Sequence, residues 1–382
     1  DKSYVGEVPA ATVQVKDANG TPATATYTPT FTEVNPTSKP SETTGFQGLP
    51  QTSRVVLDEK DEADNTTVNF DKGNDKVALV PSTLTLVNAD GAKVTSVTVP
   101  NEGTYELNNG VITFTPLPTF HGKASGVSVQ AEDVNGKVAK TTYTPTVTEV
   151  RPVGTDAGSE GIQGAVQEGT PTFKSGNENI PMTVSATNPA KLLVDGQPVA
   201  DTTIPAKDDQ GQQVGTYTIE PATGKVTFTP NPGFSGTPVP ATVQAKDGNG
   251  TPTTATYTPV VKAAVPSGDN QVRSDIQGAV QTATPVFTPG KNTVNNQEVS
   301  VPFEATSKAK LIDPSKTGEA AEVTTLEVPK QGTYTIDDNG VVTFTPLPTF
   351  TGEATPVSIV RKDKNGTPAT ATFKPSVVGV TP

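Results

Sequence analysis

The chain has 382 residues with 36 Pro, 34 Gly, a single His, no Cys, no Trp and a formal charge of −12. Without cysteine, disulfides, thiolate metal sites and cysteine nucleophiles are excluded, and the acidity argues against a nucleic-acid partner or an anionic membrane surface. The length suits about two to four cores; no apolar run approaches the roughly 20 residues of a membrane span, and the opening "DKSYVGEVPA" has no signal-peptide character.

The first 35 residues contain "ATVQVKDANGTPATATYTP", two alternating runs around the turn residues Asp17 to Gly20. They read as a lone hairpin, the tail of a larger unit, since Tyr4-Val5-Gly6 stands where Phe120-His121-Gly122 stands one period later. Such a hairpin alone is marginal in water.

Three fuller units follow, at 36–151, 152–265 and 266–382, with Pro36, Pro152, Pro266 and Pro382 marking the same phase. Each starts in a polar, proline-containing stretch that favours extended backbone and reads as a semi-rigid spacer. Next come "FQGLPQ" at 46–51 and "IQGAVQ" at 162–167 and 276–281. A hairpin follows: in "GTYTIDDNGVVTFTP", Tyr334 and Ile336 alternate with Thr, and Val342 and Phe344 return on the same face. "TFTPLPTF" closes it at 113–120 and again at 343–350, with "TFTPNPGF" at 227–234. A second hairpin turns at Asp133, Asp247 and Asp363, with Pro259 expected just after its last strand. No segment carries a capped 3.6-residue apolar stripe. The expected fold is therefore all-β, a tandem array of β-sandwich domains of about 115 residues joined by short Pro-containing linkers.

With those motifs in order, the chain resembles the CshA-type fibril repeats of Gram-positive, chiefly streptococcal, cell-wall-anchored surface adhesins. In unit 152–265 the signature is Gly161–Gly164, Gly215–Tyr217, Val226–Pro230, Phe234–Gly236, Asp247–Thr251 and Ala255–Pro259. Unit 36–151 departs from it at Lys137 and Thr141. The resemblance implies an extracellular stalk or fibril that projects a distal ligand-binding region from the cell wall, with signal peptide and anchor lying elsewhere. It implies neighbouring repeats as the immediate partners, and a host matrix protein or other bacteria met through other regions. Neither nucleic acid nor membrane insertion is expected. The alternative reading makes the repeats themselves binding modules for a host matrix protein, a glycan or other cells.

The residues offer no catalytic, cofactor-binding or metal site that recurs, and no enzyme is expected. His121 has Val5, Ser235 and Thr351 at its equivalent places. Asp-x-Asn-Gly begins like a calcium loop but lacks a closing carboxylate, so it reads as turn chemistry. The acidic run Asp58–Asp75 is absent from the later units and reads as a solvated loop. Tyr27, Tyr143 and Tyr257 have Phe373 as their counterpart, which makes a ring plugged into the core, with a dispensable hydroxyl, the expected role. The Phe114, Phe228, Phe344 and Phe120, Phe234, Phe350 series read as packing anchors. Lys16, Lys246 and Lys362 could serve an isopeptide crosslink only if buried, and Glu132 replaces them in unit 36–151.

Overall fold

The computed structural model describes residues 1–58 and 64–381. Its named elements are strands, apart from one 3₁₀ turn at Gly318–Ala321. By contact the chain divides into two units, residues 1–153 with 174–183 and 246–252, and residues 154–173, 184–245 and 253–382.

In the first unit the hairpin Ala11–Lys16 with Pro22–Tyr27 is exposed along its whole length. The sandwich proper follows. One sheet runs Lys93–Val94, Leu79–Val87, Val127–Asp133, Val138–Thr148, Gly122–Lys123, and Ser41–Phe46 lies parallel to Val138–Thr148. The other runs Ser96–Val99, Gly103–Asn108, Val111–Pro116, Gln51–Leu57, Val68–Asp71, Thr37–Lys39. Period-two alternation gives each sheet one apolar face. Those faces meet in a core where Tyr105, Ile112, Phe114 and Phe70 of one sheet pack on Leu86, Val129, Ala131 and Tyr143 of the other. The tight turn at Asn109-Gly110, with φ of 50° and 75°, matches the strand twist that a two-residue hairpin loop needs.

The second unit contains most of one further sandwich, whose segments 174–183 and 246–252 belong to the first unit, and the whole of another, both built the same way. The first pairs the sheet Ala157–Ile162, Pro252–Lys262, Ala241–Lys246, Lys191–Val194, Gln197–Pro198 with the sheet Gln167–Gly169, Lys225–Pro230, Gln213–Glu220, Thr203–Lys207. Tyr217, Phe228, Val243 and Tyr257 fill its core. The second pairs Gln271–Ile276, Pro368–Val378, Val357–Lys362, Lys310–Ile312, Glu322–Val323 with Gln281–Ala283, Val342–Pro346, Gly332–Ile336, Thr325–Val328. Tyr334, Phe344, Ile359 and Phe373 fill that one.

The prolines require a correction. Pro259 does not follow the last strand but lies inside Pro252–Lys262, as Pro145 lies inside Val138–Thr148 and Pro375 inside Pro368–Val378. The facing chain explains it. Val127 pairs with Tyr143 and Lys123 with Thr146, so Pro145 sits opposite the break between two partner strands. There its carbonyl still accepts from the Ala124 amide at 3.0 Å and its missing N–H leaves nothing unpaired.

The duplicated octapeptide is a ring ladder. Tyr105 tilts on Phe114 with ring centroids 4.6 Å apart, Phe120 meets Phe114 edge-on at 6.4 Å, and Tyr143 meets Tyr105 edge-on at 6.1 Å. The same four positions recur as Tyr217, Phe228, Phe234, Tyr257 and as Tyr334, Phe344, Phe350, Phe373. Edge-on and tilted contacts of this kind add to the area each ring buries, so the cores depend on the same letters in every copy.

Candidate functional site: the turns that join successive repeats

Each sandwich ends one hairpin in Asp-x-Asn-Gly. The Asp247 Oδ1 accepts the amides of Asn249 at 3.0 Å and Thr251 at 2.9 Å, closing a two-bond turn, and Asp133 and Asp363 do the same. These aspartates are 3–5% exposed. Their Oδ2 atoms have no hydrogen-bond partner among the described residues. Also among the described residues, no group of three or more His, Asp or Glu side chains is placed to hold a metal.

The aspartate thus forms the turn, and the asparagine is left to do something else. Within the first unit, Asn249 Nδ2 donates to the Gln47 carbonyl at 3.1 Å, across 202 positions of sequence. Gln47 is itself held: its amide donates to Thr148 O at 2.8 Å and its Nε2 to Pro118 O at 2.8 Å. Its Oε1 accepts the amide of Val150 at 3.0 Å, in the linker. Within the second unit, Asn365 Nδ2 donates to the Gln163 carbonyl at 2.7 Å, and Gln163 Oε1 accepts the Ala264 amide at 3.1 Å. One glutamine therefore ties its own sheet, the outgoing linker and the turn of the following repeat.

Two glycines make room for this. Gly48 and Gly164 both have φ of +79°, a region that other residues enter only with strain, and a Cβ there would lie 1.9 and 2.2 Å from the Oδ1 of Asn249 and Asn365. A second series, in the recurring Phe-x-x-Gly of Gly73, Gly176 and Gly290, presses on linker backbone. A Cβ would stand 2.4 Å from Asn35 O, 2.4 Å from Arg151 O and 2.5 Å from the Ala264 carbonyl carbon. Pro36, Pro152 and Pro266 are buried beside them. The second unit adds a small apolar cluster at its joint, Ile162, Ala264, Val294 and Val301.

Other residues singled out by sequence fall elsewhere. His121 is exposed. Tyr143, Tyr257 and Phe373 are fully buried, whereas Tyr27 is 66% exposed. The hydroxyls are not idle as expected: Tyr143 OH bonds Thr43 Oγ1 at 2.8 Å, which donates to Gln51 Oε1 at 2.6 Å. Tyr257, Ser159 and Gln167 repeat the chain at 2.7 Å each. Where Phe373 replaces the tyrosine, Arg273 occupies the place of Thr43 and Ser159 opposite the strand proline, and Gln281 Oε1 is buried without a partner among the described residues. Tyrosine and hydroxyl partner thus change together.

Lys362 forms an ion pair with Glu322, and the corresponding Glu132 pairs with Lys93, a reversal of sign at one site. In the acidic run, residues 59–63 lie outside the described residues, and Lys72 pairs with Asp58 and Asp75. A hollow in the second unit carries Asp195, Asp208 and Asp209, but Asp208 Oδ1 is occupied by the amides of Gln210 and Gln212. The joint escaped sequence reading, although one signal was there. At the joint turns the third residue is Asn249 and Asn365, and at their counterparts in the earlier repeats it is Asn19 and Asn135. At the other two-bond turns, with the same aspartate or asparagine geometry, it is Asp90, Gln210 and Asn339.

Among solved structures, three tandem domains of mouse cadherin-23 align with 91% of this chain and 100% of their own, at 12% identity and a TM-score of 0.30. The N-terminal eight immunoglobulin domains of Down syndrome cell adhesion molecule align with 97% of this chain and 43% of theirs, at 11% and 0.30. A tetra-tandem repeat from the extending region of a large adhesion protein aligns over 98% and 83%, at 14% and 0.24. A search of curated proteins finds no match. Among the described residues no helix is long and apolar enough to cross a membrane. The profile of the surface adhesin CshA repetitive domain matches residues 1–31, 33–147, 149–261 and 263–377, and the chain belongs to that family.

Proposed function

We propose that these repeats are non-catalytic stalk elements of a bacterial cell-surface adhesin, spacing a distal ligand-binding region away from a wall-anchored base. The observation that carries this reading is the joint. The same asparagine, glutamine and glycines link neighbouring sandwiches in both units, so length is extended by copying one domain together with its connection. An array of this kind draws stability from each repeat and from nearest-neighbour contacts.

The exposed aromatic side chains support a spacing role over a binding one. Among the described residues these are Tyr4, Tyr27, Phe31 and Phe46, all before residue 50, and their counterparts in the later repeats are buried, half-buried or not aromatic. A binding surface shared by every repeat would present a common apolar patch. The division proposed from the sequence, a partial repeat at 1–35 and sandwiches at 36–151, 152–265 and 266–382, places each glutamine socket in one repeat and its asparagine in the next.

The test is to shorten the array in the intact adhesin on living cells. Adhesion should fall with each repeat removed while the purified distal region binds its ligand unchanged. Direct binding of this chain to matrix protein, glycan or cells in a solid-phase assay would transfer the adhesive role to the repeats.

A further inference from the structure

The third copy of the glutamine corner differs from the other two in what covers it. Gln277 is positioned as Gln47 is: its amide donates to Val378 O at 2.8 Å and its Nε2 to Pro348 O at 2.8 Å. Gly278 has the same left-handed backbone, φ +82°, yet a Cβ there would meet nothing within 4 Å. Val380 is 54% exposed where Val150 and Ala264 are 2% and 0%. Among the described residues, the Gln277 carbonyl and Oε1 have no counterpart to the asparagine and linker-amide donors that reach Gln47 and Gln163.

The corner is therefore shaped before it is covered. Gly278 is the third residue of a turn closed by the Ala279 amide on the Ile276 carbonyl at 3.0 Å, which itself calls for glycine at φ near +80°; in the matching turns at Gly48 and Gly164 the bare glycine also admits an asparagine of the next repeat. Turn chemistry alone does not ask for that asparagine, because Asp90 and Gln210 serve in its place at turns that meet no such corner. We propose that Ile276, Gln277 and Gly278 form a third socket, which receives the Asp-x-Asn-Gly turn of another repeat of this same kind. Recognition consists of one amide donated to the Gln277 carbonyl, the close fit of the asparagine over Gly278, and capture of the Val380 amide by Gln277 Oε1. The inference stands on the two filled joints and holds whatever the array carries.

The experiment extends the full chain by a second copy of residues 152–265 placed directly after Thr381, so that Pro152 takes the position of Pro382. Native-state amide exchange is followed at Val380 by NMR, and the number of slowly exchanging amides reports folding of the added copy. Exchange at Val380 should slow at least about tenfold on extension and return to the original rate when the added copy carries Asn249→Ala. A folded added copy with no slowing would overturn the proposal. So would slowing that survives Asn249→Ala, or equal slowing from an unrelated β-sandwich fused at the same point, since either would make the cover nonspecific.

Discussion

The last sandwich can be given the hydrogen-bond chain that its neighbours have. In residues 36–265 the hydroxyls of Tyr143 and Tyr257 meet Thr43 and Ser159, each of which in turn satisfies a buried glutamine oxygen. In the last repeat Gln281 is 4% exposed, its Nε2 donates to Ser376 O at 2.9 Å, and its Oε1 is left over. Arg273→Ser should place a hydroxyl where Ser159 stands and stabilise by about 1 kcal/mol, the net value of one such bond. Phe373→Tyr alone buries a hydroxyl facing Arg273 and should cost about 1–2 kcal/mol. Together the two should be favourable, with a coupling of about 1–2 kcal/mol, a factor of about 5–30 in the opening equilibrium. Native-state amide exchange on the slowest amides of Val357–Lys362 and Val342–Pro346 measures this for the last repeat alone. Additivity of the two substitutions within about 0.3 kcal/mol would refute the reasoning.

Gly164→Ala and Gly278→Ala should share a backbone strain of roughly 1–2 kcal/mol, but only the first should release the Ala264 amide to rapid exchange; equal behaviour at that amide would detach the glycine from the joint. Phe344→Ala should cost about 3–5 kcal/mol and remove one repeat's transition from a melting curve, whereas Phe350→Ala, half-buried and edge-on to Phe344, should cost less; equal losses would contradict the ladder. Burial pushes the hydroxyls of Tyr105, Tyr143, Tyr217, Tyr257 and Tyr334 above the ordinary value of 10.0. The folded state holds those protons more tightly than the unfolded chain, so their contribution is complete below about pH 10 and is lost as pH rises beyond it. Phenolate absorbance from these five should appear together with loss of circular dichroism, and ionisation of an intact fold near pH 10 would contradict this.

Local patterns made the sandwich legible. Alternation along Gly332–Ile336 and Val342–Pro346, with turn residues between, specifies a hairpin and its inward face, and the aromatic series identifies the core. What escaped reading acts across long separations. Ser41–Phe46 runs parallel to Val138–Thr148, and parallel pairing about 100 residues apart leaves no turn signal between the strands. Asn249 looks like turn chemistry because Asp247 beside it is turn chemistry; its own donor is spent 202 positions away. Phe373 made the tyrosine hydroxyls look dispensable because its compensating change, Arg273, sits on another strand. Gly176 has no local reason in the sequence, since what it avoids is the Arg151 carbonyl.

The most direct test of the joint needs no mutation. Amide exchange in the unaltered chain compares Val150, Ala264 and Val380, three equivalent linker positions. The first two donate to Gln47 and Gln163 at 3.0 and 3.1 Å and are buried, while Val380 is 54% exposed. Slow exchange at Val150 and Ala264 beside near-unprotected exchange at Val380 is the expected result. Exchange at Val150 and Ala264 as fast as at Val380 would show that the glutamine corners do not hold the linkers, and the account of coupled repeats would fail.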